Sequence, residues 1–198
     1  MIRLNRTNGR CRSRWPVWRS LVIALVTVAA AIPSVRGAAN ASDSAEVETR
    51  IKAAYIYNFA RFVEWPARAG TGSVRIGVLG QGDLASPLAE VIRGKLVNGR
   101  AITVTSVGAV NEADCCEILL IERSESKHVR EIVQALAGKP VLTVCDGESG
   151  FREGVMIAFQ LVEESVRFQI NQDAAEHAGL KISSQLLKVA IAGPGKHQ

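Results

Sequence analysis

Metal-ligating side chains are scarce in this sequence. Of 198 residues only three are histidine (His128, His177 and His197) and four are cysteine, and no two histidines stand near one another in the chain. Cys115 and Cys116 are adjacent and Cys145 lies far downstream, so the C-x-x-C spacing of zinc sites is missing and no metal is expected. A Gly-x-Ser-x-Gly elbow is also absent, which removes the usual support for a hydrolase. The longest apolar run, Leu21 to Ile32, has 12 residues. Crossing a bilayer as a helix takes ~20, so a permanent anchor is disfavoured.

Acidic residues are missing from one region only. Residues 1–41 hold seven arginines and no Asp or Glu, so of the 24 basic residues 17 remain to face all 19 acids, and the net charge of +5 becomes −2 for the rest of the chain. A polyanion binder needs a surplus of Lys and Arg to displace counterions, which excludes nucleic acid as the main partner. The Arg-rich start, the apolar run, Pro33 and the small residues Gly37 to Ala41 have the layout of a secretory signal. Ala39-Asn40-Ala41 predicts cleavage after residue 41, leaving 42–198 as a periplasmic product. No Arg-Arg pair precedes the run and no cysteine closely follows it, so neither a twin-arginine nor a lipoprotein signal is indicated. The destination is oxidising, and three cysteines, an odd number, remain there.

With 47% apolar and 22% charged residues the chain has ordinary globular values, and no repeat or linker interrupts 46–192. One domain with its own core is expected. Asp43 and Glu46 suggest a capping box, and Val47, Ile51, Tyr55, Phe59 and Phe62 recur at helical spacing until Trp65-Pro66. Four strands follow, 73–79 and 117–121 as buried runs, 101–107 rich in β-branched residues, and 140–144, with helices over 84–92 and 129–136. Strands separated by helical crossovers imply an α/β fold with a largely parallel sheet and helices on both faces. Residues 155–162 and 165–170 flank Glu163-Glu164 and predict a C-terminal antiparallel hairpin whose Arg167, Gln169 and Asn171 face water. Amphipathic segments at 173–178 and 183–191 close the domain.

Gly80-Gln81-Gly82-Asp83, between a strand and a helix, is half of a phosphate-binding fingerprint. Its third glycine is missing and no acid ends the 101–107 strand to hold a ribose, so a plain tight turn is expected and no cofactor. Cys116 precedes one strand and Cys145 follows another. Parallel neighbours would hold the two thiols about five residues apart at ~3.3 Å each, beyond the reach of a disulfide.

The segment Lys52 to Pro66 packs Tyr55, Tyr57, Phe59, Phe62 and Trp65 into eleven residues and threads Asn58, Arg61 and Glu64 between them. Most of this stripe is core, yet the polar handles of Tyr57 and Trp65 suit an interface or a pocket rim. Arg61 is suited to holding a carboxylate or phosphate bidentately.

This segment, Lys52-Ala53-Ala54-Tyr55-Ile56-Tyr57-Asn58-Phe59-Ala60-Arg61-Phe62-Val63-Glu64-Trp65-Pro66, closely resembles the signature of the YfiR family of periplasmic proteins. Arg167 to Asn171 and Ala178 to Ala190 resemble its C-terminal block, and Val141 to Val144 with Gly150-Phe151 match between them. The resemblance implies a single Rossmann-like domain without known catalysis. It also implies a regulator that represses an inner-membrane diguanylate cyclase through its periplasmic domain, lowering cyclic-di-GMP, with an outer-membrane lipoprotein relieving the repression. A sensor kinase as partner, a homodimer, and a small-ligand-binding or transport-accessory role stay open. Asn58, Arg61, Trp65 and His177 are the candidate partner- or ligand-binding residues, by polarity and place near the signature. One departure concerns the family's strand cysteine: Gly77 stands at its place, leaving Cys116 without that partner.

Overall fold

The computed structural model describes residues 36–66 and 72–191, and side chains from Ser42 onward. The chain divides into two compact units, Met1–Asn40 and Ala41–Gln198. The expected signal segment and its cleavage site lie outside the described residues, apart from the helical backbone of 36–41.

Within the larger unit the sheet is built from apolar runs long enough to be buried on both faces. Strands β2 (Val74–Leu79), β5 (Ile118–Ile121) and β6 (Leu142–Cys145) read as near-continuous aliphatic stretches, as central parallel strands do. They join β3 (Leu96–Val97), β4 (Arg100–Val107), β7 (Ile157–Val162) and β8 (Ser165–Ile170) in the order β3-β4-β2-β5-β6-β7-β8. β4, β2, β5, β6 and β7 are parallel, and both edges, β3 and β8, run antiparallel. β1 (Val63–Glu64) and β9 (Lys181–Ile182) form a separate two-stranded ladder.

Alternate side chains of the central strands feed two cores. Ile118, Leu120, Leu142 and Val144 face one core, shared with α1 (Arg36–Phe62), α2 (Ala85–Ile92), α5 (Gln172–His177) and α6 (Ser184–Val189). Leu119, Ile121 and Cys145 face the other, with Val129 and Ile132 of α3 (Val129–Ala135) and the 3-10 turn Val110–Cys115. Gly150 in the short α4 (Ser149–Arg152) is buried near the end of β6.

Two local expectations are corrected. α1 begins at Arg36, so Asp43 lies inside the helix and caps nothing. Gln169 does not face water: it is 7% exposed, and Ile191 bridges to its backbone in parallel at the edge of β8. The cysteine geometry is as the spacing requires. β5 and β6 pair Ile121 with Cys145, five residues beyond Cys116, and Cys115, Cys116 and Cys145 are free thiols.

Candidate functional site

The aromatic segment of α1 divides by face. Ala53, Ile56, Phe59 and Ala60 recur at helical spacing and are fully buried. Phe59 packs edge-on to Phe168 with ring centroids 5.0 Å apart and lies 5.8 Å from Phe159, and Tyr55 packs edge-on to Phe168 at 5.0 Å. Centroid distances of this size are those of favourable aromatic pairs. The stripe thus clamps the helix to the β7–β8 hairpin.

The C-terminal end of α1 meets the C-terminal block. Ser183 N–H donates to the Phe62 carbonyl at 2.9 Å, β1 pairs Val63 with Ile182 and Glu64 with Lys181, and a Cβ on Gly179 would lie 3.7 Å from Pro66. Gly179 has φ +74, so only glycine makes this approach without strain. The two blocks that carry the sequence resemblance therefore form one structural unit.

Around this unit the four expected site residues take different places. Trp65 is half-buried and its indole N–H donates to the Glu117 carbonyl at 3.0 Å. It borders a cavity of about 320 Å³ with Pro66, Val97, Pro140 and the Arg100–Glu117 ion pair (2.7 Å). Arg61 is exposed, with its guanidinium 5.7 Å from the Tyr57 ring centroid and 5.4 Å from that of Phe62. Lys95 Nζ stands 4.5 Å from the same Tyr57 ring, so Tyr57 serves two cations. Asn58 is half-buried on the same helix. His177 ends α5, where its Nδ1 lies 2.6 Å from the Asp173 carbonyl, a contact within its own helix. The structure brings Arg61 and Trp65 to one end of α1, and His177 is engaged locally.

The glycine loop after β2 is filled from inside. Strand order changes direction at β2, with β4 on one side and β5 on the other, and a doubly wound sheet holds its ligands in the crevice at such a point. Here the crevice holds the carboxylate of Glu122, which follows β5 and is 2% exposed. It accepts the N–H groups of Gly82 and, at 3.1 Å, Leu84. A Cβ on Gly82 would come within 2.5 Å of that carboxylate. The glycines make room for an internal acid, which satisfies the amides a phosphate would otherwise need.

A second charged cluster was hidden from sequence reasoning. Lys52, first residue of the aromatic segment, is 5% exposed and its ammonium pairs with Glu48 and, at 2.6 Å, with Asp146 just beyond β6. Arg123 closes the ring on Glu48 at 3.0 Å and on Asp146 at 3.4 Å. Two acids and two bases alternate, so no charge in the cluster is left uncompensated.

A family model described as YfiR/HmsC-like matches residues 49–191, from within α1 to the residue that bridges to β8. The chain belongs to the YfiR/HmsC-like family. Membership makes it one of a regulatory family of cyclic-di-GMP signalling whose members are periplasmic. Among the described residues no helix is long and apolar enough to cross a membrane. No curated protein matches this YfiR/HmsC-like chain. Solved structures similar to it include a conserved domain protein from Vibrio cholerae O1 biovar El Tor, at 11% identity and TM-score 0.48, covering 71% of this chain and 59% of that one. Another is an ABC domain in complex with L-Trp from Streptococcus pneumonia, at 10% identity and TM-score 0.44, covering 60% and 54%. The chain spans less than two thirds of either.

Proposed function

We propose that this YfiR/HmsC-like protein is exported by a cleaved signal, residues 1–41, and acts in the periplasm by binding and restraining an inner-membrane signalling protein. The partner of choice is a diguanylate cyclase, so that binding lowers cyclic-di-GMP. The family match over 49–191 carries this reading. The Rossmann-like sheet is on this view a scaffold rather than a catalytic frame, with its ligand crevice occupied by Glu122. Exposed Arg61, held over two ring faces, and half-buried Trp65 at the same end of the helix serve contact. Deleting the gene is expected to raise cellular cyclic-di-GMP and surface attachment. Unchanged levels in the deletion strain overturn the reading.

A second reading rests on the cavity beside Trp65. Its mixed walls, with Trp65, Pro66 and Val97 beside Glu64, Asn98 and the Arg100–Glu117 ion pair, suit a small ligand with polar and apolar parts, in the manner of a binding or transport-accessory module. A thermal-shift screen against anionic and aromatic metabolites tests it: a compound that stabilises the wild type but not Trp65→Ala favours this reading, and a screen without hits removes it.

A further inference from the structure

The middle of α1 and the tip of the β7–β8 hairpin leave apolar side chains in water side by side. Val47 (56% exposed) and Ile51 (40%) stand one turn apart on the helix, and Leu161 (52%) and Val162 (40%) end β7. Val47, Ile51, Leu161 and Val166 line one groove of about 740 Å³. Scattered exposed aliphatics are ordinary, but a contiguous set on two elements marks an interaction surface.

Charge says what fits there. The groove lining contains Asp43, Glu48 and Glu164 and no Lys or Arg, and with Glu48 already paired to Lys52 and Arg123 it is Asp43 and Glu164 that set its sign. Glu163 adds a further acid at the hairpin tip. A second copy would set these acids against each other, and an anionic lipid surface would be repelled. A segment carrying aliphatic residues flanked by Lys or Arg satisfies both the floor and the rim.

The hairpin tip gives a second, independent indication. Glu163 and Glu164 occupy the two loop positions with φ +48 and +60, the left-handed region that favours Asn and Gly in such turns. Side-chain-bearing residues held there are strained, and strain of this kind collects at functional positions. Two acids are kept where Asn-Gly would fold better.

We propose that this groove is the docking surface for a basic amphipathic segment of the protein's partner, a role distinct from that of the Trp65 end of the helix. The proposal rests on the regulatory reading above, and its test separates the two. The test variants are Leu161→Gln, which removes apolar surface without changing charge, and the pair Glu163→Asn, Glu164→Gly, which removes both acids while relieving strain. The pair is expected to melt at a higher temperature than the wild type, so loss of function in it is not loss of fold. In the deletion strain the wild-type gene should restore low cyclic-di-GMP and both variants should fail. Full restoration by both variants overturns the docking surface and leaves the regulatory reading intact. No change on deletion overturns the regulatory reading, and the groove is then judged in vitro. There a labelled amphipathic helix of leucine and lysine should bind the purified wild type saturably, about tenfold more weakly to each variant. A leucine–glutamate helix of the same pattern should not bind. Equal binding by all three proteins, or a self-association abolished by Leu161→Gln, overturns the proposal.

Discussion

Gly77 on β2 lies directly against Cys116: a Cβ at position 77 would sit 2.9 Å from the Cys116 Sγ and 2.8 Å from Cγ2 of Val107. In a disulfide the Cβ of one residue and the sulfur of the other are about 3 Å apart, so the pair is placed as a half-built bridge. Gly77→Cys is expected to close onto Cys116 on oxidation, melting higher in oxidising than in reducing buffer. Gly77→Ala presses the same methyl group on Val107 without gaining a bond and should cost about 1–3 kcal/mol. A Gly77→Cys protein whose thiols stay free after oxidation would contradict this geometry.

The Glu122 carboxylate is the acceptor for two buried loop amides. Glu122→Ala should cost about 1–3 kcal/mol for each donor it orphans, and Glu122→Gln, which keeps one acceptor oxygen, distinctly less. Chemical denaturation of the three proteins checks the order. Inorganic phosphate and dinucleotides should leave the wild-type melting temperature unchanged, because the seat they need is taken.

Lys52→Ala leaves Asp146 and Glu48 with only the exposed Arg123 to balance them in a largely buried site. Removing one partner of a buried pair typically costs about 3–5 kcal/mol. The double variant Lys52→Met, Asp146→Leu should recover most of that loss, since it removes the uncompensated charge with its partner. A urea-unfolding cycle with the single variants Lys52→Met and Asp146→Leu measures the coupling, and additive losses would show that the pair contributes nothing.

What the sequence made legible follows from range. The strands 74–79, 118–121 and 142–145 announce themselves because burial on both faces demands uninterrupted aliphatic runs, and the register that separates Cys116 from Cys145 follows from their lengths. The two-residue strands β1 and β9 are too short to leave a periodicity. β3 did carry a signal, the Asn98-Gly99 turn with φ +51 and +77, which marks a tight hairpin before β4.

The site was less legible for the same reason. A lysine at the head of an aromatic helix reads as solvated, and its burial depends on Asp146, 94 residues away in the chain. Glu122 gives no local hint that it fills a loop 40 residues upstream. Arg61 and Trp65 stood out because polar handles in an aromatic stripe are visible locally. His177, chosen on the same ground, spends its Nδ1 on a backbone carbonyl one turn away.

Cys115, Cys116 and Cys145 should differ sharply in reactivity. Burial, helped by the neighbouring Asp146 carboxylate, pushes the Cys145 thiol up to about 11, and burial with the adjoining Cys115 pushes Cys116 up to about 11. Near neutral pH both are protonated and covered, so iodoacetamide should label Cys115, the exposed one, first. The same shifts set a pH dependence. Unfolded thiols release their protons near 9.0 and the folded ones near 11, so between these values the folded chain holds more protons and stability falls as pH rises. Below pH 9 the contribution is complete and flat. The difference between the wild type and Cys145→Ala isolates the thiol: the variant's stability should fall less steeply from pH 9 to 11. Parallel curves for the two proteins would mean that Cys145 ionises as freely in the folded chain as in the unfolded one.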